Sequence, residues 1–166
     1  LTPEHVTGVN ISEGMMEVGR MKINAEKLNE KITLQKEDVS CLSFADETFD
    51  AATTSFGIRN FDKLDESIRE IHRVLKPLGK FVILEMSEPK TPVIRQGYLL
   101  YTRTVIPFAV KTFSNDPLAY KYLTDSMKVF PQGKEMIAIL KKNGFRCLKY
   151  KTFFLGVCSL YVLEKE

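Results

Sequence analysis

The first apolar cluster in the chain is a short β-branched run, Val6-Thr7-Gly8-Val9-Asn10-Ile11, and it is followed by Ser12, a natural helix N-cap. Apolar residues then return at Met15, Val18, Met21, Ala25 and Leu28. That three- and four-residue spacing marks one face of a helix. Ile32-Thr33-Leu34-Gln35 reads as a second strand, ending in the polar cluster Lys36-Glu37-Asp38. After a loop from Ser40 to Glu47, the run from Phe49 to Ser55 reads as a third strand entering Gly57. Asp62 is placed to cap a helix with Leu64, Ile68, Ile71 and Leu75 inward, stopped by Pro77 and Gly79. The segment from Lys80 to Met86 has a nearly continuous apolar middle, the pattern of a strand buried on both faces.

The texture changes between Thr91 and Phe130. Tyr98, Tyr101, Phe108, Phe113, Tyr120, Tyr122 and Phe130 all fall there, and Thr91 to Asn115 holds no carboxylate. A regular helix from Gly133 to Asn143 follows, closed by Gly144, a good residue just past a helix end. The last segments, Phe145 to Phe153 and Gly156 to Leu163, read as two strands able to pair antiparallel. Strands alternating with helices, then an insertion, a helix and a terminal strand pair, argue an α/β fold with a mostly parallel sheet. The expected organisation is one domain over 1–166, with a helical lid or substrate insertion at about 91–130.

Composition narrows the function classes. Of 166 residues, 44% are hydrophobic and 27% charged, an ordinary globular balance that excludes a disordered tail, a collagen-like repeat and a coiled coil. A net charge of +3 is too weak a bias to imply nucleic acid. Cys41, Cys147 and Cys158 are odd in number and unrelated in spacing, fitting neither a disulfide framework nor a zinc site. No metal is expected, and a reduced, cytoplasmic compartment is. No run of about 18 apolar residues is present to span a bilayer, and no secretory or transit segment is expected ahead of the first strand.

In an open parallel sheet, ligands bind beyond the carboxyl ends of the strands. Three such ends are candidates: Asn10, Asp38, and Ser55 through Asn60. Asn10 can accept from ribose hydroxyls and Asp38 from the exocyclic amino group of adenine. The plainer alternatives are that Asn10-Ile11-Ser12 only caps the following helix and that Asp38 only holds its loop.

These residues also carry a resemblance. Val6 to Ser12 with Met15, then Leu42-Ser43-Phe44-Ala45-Asp46-Glu47-Thr48-Phe49-Asp50, resemble class I S-adenosylmethionine methyltransferases of Rossmann-like fold. Ser55-Phe56-Gly57-Ile58-Arg59-Asn60-Phe61 is more specific, followed by Arg73-Val74-Leu75-Lys76-Pro77-Leu78-Gly79 and Leu84-Glu85-Met86-Ser87-Glu88-Pro89. With Ala119-Tyr120-Lys121-Tyr122-Leu123 and Phe130-Pro131, the chain closely resembles the ubiquinone/menaquinone biosynthesis C-methyltransferases, the UbiE family, over essentially all its length.

The resemblance implies S-adenosylmethionine as cofactor, held by Asn10, Asp38, Val39 and Ser55. It implies transfer of the sulfonium methyl group to a ring carbon of a prenylated quinol. Arg59 would stabilise the phenolate, Asn60 would orient a ring oxygen, and Tyr101 or Tyr120 would relay the proton. A guanidinium stays protonated, so Arg59 is not itself the proton acceptor. The plainer alternative for Arg59 is a salt bridge to Asp62 or Asp65; for the tyrosines it is core packing. Tyr98, Leu99, Leu100, Val105, Ile106 and Phe108 could line a groove for an isoprenoid tail or touch lipid. Arg95, Arg103 and Lys111 could meet anionic headgroups at the inner membrane face, or be merely solvated on a lid helix.

Two departures from the family stand out. The family has an acidic residue where Asn10 stands, and the neutral amide forgoes roughly 1 kcal/mol of charge-assisted hydrogen bonding. The family's first strand and glycine-rich cofactor loop are not found ahead of Leu1, so the chain resembles an N-terminally truncated domain. That strand is expected between the strand ending at Asn10 and the one ending at Ser55. Its lack is expected to leave two exposed edges, to weaken cofactor binding, to leave the chain by itself inactive, and to drive homo-oligomerisation. A methyltransferase of another small molecule, or a non-catalytic interaction protein, are the alternative readings.

Overall fold

A computed structural model describes residues 3–105, 122, 125–127 and 129–166. The chain runs β1 (Val6–Asn10), α1 (Glu13–Ala25), β2 (Ile32–Lys36), β3 (Phe49–Ser55), α2 (Leu64–Val74), β4 (Leu75–Met86), α3 (Pro92–Leu100), α4 (Lys134–Lys142), β5 (Phe145–Phe153) and β6 (Cys158–Lys165). Among the described residues the strands form two sheets. β1 and β2 pair in parallel, and the second sheet has the order β3-β4-β6-β5. Within it β3 and β4 are parallel, while β6 runs antiparallel to both β4 and β5. The expected single sheet is thus divided between β1 and β3, each an edge strand of its own sheet.

One face of the four-stranded sheet carries the core. Phe81 and Ile83 of β4 lie opposite Leu163 and Tyr161 of β6, and all four are buried. α2 covers this face with Ile68 and Ile71, and α4 with Met136 and Leu140. The alternate residues Val82, Leu84 and Met86 are only half-buried. β4 is therefore fully buried on one face, not on both, because α2 and α4 pack into the same core cluster on that side.

Local chemistry explains the helix ends. Ser12 caps α1 as expected, its Oγ accepting from the Met15 N–H at 3.4 Å. The helix is turned differently from its expected apolar stripe: Met15, Val18 and Met21 are exposed, and Met16 is buried instead. Leu34 of β2 decides this. A Cβ on Gly8 would lie 2.6 Å from its Cδ2 and one on Gly19 2.9 Å from its Cδ1, so the two glycines admit Leu34 between strand and helix. α2 starts after Lys63 without a side-chain cap, so Asp62 does not cap it. It ends at Val74, because Leu75 is drawn into register with Phe49 as β4 begins. α4 ends as expected: Asn143 is its C-cap and Gly144 follows at φ +86°, where a Cβ would also strike the His72 ring at 2.6 Å.

Arg73, on the last turn of α2, holds the loop before β3. It donates to the carbonyls of Leu42 (3.0 Å) and Phe44 (2.8 Å) and pairs with Glu70 (2.8 Å) and Asp46 (2.7 Å). These partners raise its pKa further.

His72 sits half-buried beside that arginine, its ring edge-on to Phe145 with centroids 5.2 Å apart. Burial, and then the nearby Lys165 ammonium, push its pKa below the usual value. The unfolded chain therefore binds this proton more readily than the folded one. The neutral ring's contribution is complete above about pH 6.5 and is lost as pH falls through the lowered folded value. Chemical denaturation from pH 7.5 down to 5 should show this loss, and His72→Phe should flatten it; an unchanged slope in the variant would acquit His72.

Candidate functional site

β3 and β4 run in parallel with Ser55 opposite Leu84, so their carboxyl ends reach the same edge of the sheet. Immediately beyond β3 the chain turns sharply. Phe56 adopts φ +56°, with its N–H on the Leu84 carbonyl at 2.8 Å, and a 3₁₀ turn covers Ile58–Asn60. Ile58 points inward and is fully buried in the core cluster. This apolar anchor places Arg59 and Asn60 at the sheet's edge.

Arg59 makes a nearly buried ion pair. Its Nη1 lies 2.5 Å from Oε1 of Glu85, with side-chain exposures of 11% and 3%. Nη1 also donates to the Phe56 carbonyl at 2.9 Å, and the Arg59 N–H reaches Glu85 Oε2 at 3.4 Å. Glu85 Oε1 further accepts from the Met86 N–H at 2.8 Å. One edge of the guanidinium fork is thus occupied. On the other, Nε is buried and has no hydrogen-bond partner among the described residues.

The ion pair replaces the expected alternative. Asp65 accepts instead from Asn143 Nδ2 at 2.7 Å, and neither Asp62 nor Asp65 pairs with Arg59. Glu85 was missed as a site residue, yet it is the one carboxylate in the apolar strand from Phe81 to Met86, and such a residue demands a partner. Tyr122 was missed as well. Its hydroxyl donates to Asn60 Oδ1 at 3.0 Å, which brings Tyr122 to the turn after β3. Tyr120 lies outside the described residues, as do Ile106, Phe108, Lys111, Phe113, Ala119, Lys121, Leu123 and the side chain of Val105. Tyr101 opens a π-type turn (Tyr101–Val105) and is 53% exposed, which is not core packing; no hydrogen bond among the described residues joins it to Arg59 or Asn60.

The other candidates line up along the ends of β1 and β2. Asn10 closes β1, its Oδ1 accepting from the Ser12 N–H at 2.8 Å and its Nδ2 facing Met15 Sδ at 3.9 Å. Asp38 lies just past β2. Its Oδ1 accepts from both the N–H and the hydroxyl of Ser40 at 2.8 Å, holding the carboxyl below the usual range. Both local roles foreseen as alternatives are therefore present. Val39 packs against the core cluster, and Ser55 stands exposed at the end of β3.

The model of the ubiE/COQ5 methyltransferase family matches residues 2–165. The chain belongs to that family. A demethylmenaquinone methyltransferase from Bacteroides fragilis is 45% identical over 165 residues, covering 99% of this chain and 67% of that protein. The ubiquinone/menaquinone biosynthesis C-methyltransferase UbiE of Dinoroseobacter shibae is 35% identical over 153 residues, 92% of this chain and 61% of its own length. The chain thus spans about two thirds of the length of these relatives or somewhat less. A solved structure described as a SAM-dependent methyltransferase, from Aquifex aeolicus, superposes with a TM-score of 0.68 at 16% identity, covering 98% of this chain and 69% of that one. At that identity the superposition shows the fold: α/β, Rossmann-like, of class I methyltransferase type.

The buried pair generates a stability test. Glu85→Leu leaves a nearly buried guanidinium uncompensated and should cost about 3–5 kcal/mol. The double variant Arg59→Met/Glu85→Leu removes both charges and should recover most of that loss. Urea melts of the single and double variants check it; losses that simply add would show that the pair is not coupled.

Proposed function

We propose that the protein transfers a methyl group from S-adenosylmethionine to a ring carbon of a prenylated quinol of the demethylmenaquinol type. The observation that carries this reading is the half-used fork of Arg59. A buried N–H donor without an acceptor costs about 1–3 kcal/mol, and a ring oxygen seated against Nε would satisfy it. Glu85 neutralises much of the guanidinium's net charge, so Arg59 acts on that oxygen as a directed donor. As the phenol ionises, the bond to its oxygen strengthens, which is the differential stabilisation that speeds attack by ring carbon. Asn60, already engaged by the Tyr122 hydroxyl, orients the second oxygen of the ring, and Tyr101 and Tyr120 remain the candidates for carrying the proton away.

The cofactor-side residues fit the adenosine part of S-adenosylmethionine. Asp38 stays ionised and keeps Oδ2 clear of hydrogen bonds from the described residues, as an acceptor for an amino group requires. Asn10 retains a second lone pair on Oδ1 and a loosely held Nδ2 for ribose hydroxyls. Val39 follows Asp38 beyond β2, and Ser55 closes β3. When bound, the cofactor supplies the electrophilic methyl group. The protein works in the cytoplasm, in peripheral contact with the inner face of the membrane; among the described residues no helix is long and apolar enough to cross a membrane.

The test is complementation. A bacterial strain without its demethylmenaquinone methyltransferase should regain methylated menaquinone when given the full reading frame that encodes this chain. Arg59→Lys should lower turnover by about a hundredfold, since an ammonium cannot reproduce the planar fork. Equal turnover would remove Arg59 from the chemistry, and no methylated quinone at all would overturn the substrate reading.

The chain taken by itself self-associates. Support comes from the outer ladders of β1 and β3, which have no strand partner among the described residues, and from the exposed Ile11, Met15, Val18 and Met21 in the segment after β1. Sedimentation velocity should give a particle larger than 19.0 kDa; a monomer at micromolar concentration would overturn this.

A further inference from the structure

The hairpin between β5 and β6 ends in a tip whose residue types do not suit its backbone. Phe154, Leu155 and Gly156 have φ of +50°, +59° and +100°. A turn with consecutive positive φ normally takes Asn, Asp or Gly. Here two large apolar residues occupy it, and they are 82% and 74% exposed. Strain and solvent exposure both oppose Phe and Leu at these positions, and among the described residues the compensation is slight, a Val157 N–H on the Phe154 carbonyl at 3.2 Å.

The tip stands at the same edge of the sheet as the candidate site. Phe153 and Met86 both lie opposite Cys158 across β6, and two residues back along β4, Leu84 lies opposite Ser55. A pocket of about 110 Å³ joins Leu155 and Gly156 to Lys90 and Thr91, and the first turn of α3 adds Val93, 80% exposed.

Basic residues stand on the strand that leads into this apolar rim. Of the five between Met136 and Leu163, Lys141, Lys142 and Arg146 lie at or before the far end of β5, and Lys149 and Lys151 lie toward the tip. Lys149 and Lys151 are exposed on β5, and the Lys151 ammonium lies 4.9 Å from the centre of the Phe153 ring. Of the nearby carboxylates, Glu88 faces Arg95 at 3.6 Å and Glu135 lines the adjoining groove.

We propose that the β5–β6 tip is a membrane-docking element: Phe154 and Leu155 enter the acyl boundary of an anionic bilayer while Lys149 and Lys151 meet its phosphates. Apolar insertion combined with basic residues at the headgroup level is how peripheral proteins gain two membrane signals at once. The inference deepens the function proposed above, because it turns the site's edge toward the phase in which a prenylated quinol is dissolved.

The chain contains no tryptophan, so a single introduced indole reports its own surroundings. With vesicles of phosphatidylcholine containing phosphatidylglycerol, Phe154→Trp should shift its emission to the blue and be quenched by brominated acyl chains. Leu78→Trp, at the opposite end of β4 and also exposed, should not be. Phe154→Ser/Leu155→Ser should cut cosedimentation with these vesicles by about tenfold or more, and Lys149→Gln/Lys151→Gln should cut it severalfold at low salt. Thermal melts of both double variants should match the parent, since the substituted side chains are exposed. The proposal is overturned if the parent chain does not bind these vesicles, if the serine variant partitions like the parent, or if Leu78→Trp is quenched as strongly as Phe154→Trp. Vesicle binding without methyl transfer would retain the docking tip and reject only the catalytic reading; methyl transfer without binding would do the reverse.

Discussion

Glu85 lies on the same face of β4 as Phe81 and Ile83, and that face must be buried for the sheet to have a core at all. A carboxylate in such a place is tolerated only with a close partner, because desolvating it alone costs several kcal/mol. The parallel pairing of β3 with β4 brings the segment leaving β3 to this end of the strand, where a partner can be supplied. Ile58 and Arg59 answer together. One fills the apolar core and the next neutralises the charge beside it, so the chain must fold back at once after Ser55. The position of Asn60, and its meeting with Tyr122, follow from that fold-back.

The link between the small sheet and the large one is weaker in kind. Among the described residues it includes Val39 against the core, the Leu42 N–H on Glu70 at 3.0 Å, and the bonds of Arg73 to the loop that leads into β3. Apart from Val39 these are polar and partly exposed contacts, each worth about 1 kcal/mol or somewhat more where charged. The cofactor-side residues Asn10 and Asp38 therefore sit on a unit held by side chains, whereas Arg59 and Asn60 sit on the continuous core. The two halves of the candidate site differ in how firmly the described fold positions them.

Much of the fold was legible because its signals are local. β3 was bounded correctly as the run from Phe49 to Ser55 entering Gly57, the end of α4 by Gly144, and the terminal strand pair by two short β-rich runs. Errors arose where a distant residue made the choice. The face of α1 was decided by Leu34, held close by two glycines that a periodicity count passes over. The start of β4 was decided by the register of Leu75 against Phe49. In the site, motif matching selected Arg59 and Asn60 but named the wrong carboxylate for the one and passed over Tyr122 for the other, since neither partner is near in sequence. Glu85 alone carried a readable warning, as a charge in an otherwise apolar strand.

Backbone strain separates the two ends of the argument. Phe56 holds φ +56°, a conformation costing a bulky residue about 1–2 kcal/mol, but its N–H is bound by Leu84 and its carbonyl by Arg59. The same guanidinium that neutralises Glu85 thus also fixes the strained residue that begins the turn. Strain, charge and position at this corner meet in one side chain, beside the buried Ile58 that anchors the turn carrying Asn60. At Phe154 and Leu155 the compensation is slight, a Val157 N–H on the Phe154 carbonyl at 3.2 Å. A left-handed aromatic held by two hydrogen bonds is part of the scaffold. At the tip two left-handed apolar residues stand together beside Lys149 and Lys151, whereas Leu78, also exposed at φ +61°, stands singly between Lys76 and Lys80, which are paired with Asp50 and Glu164. That combination is why the tip and the turn, alike in backbone, are read differently.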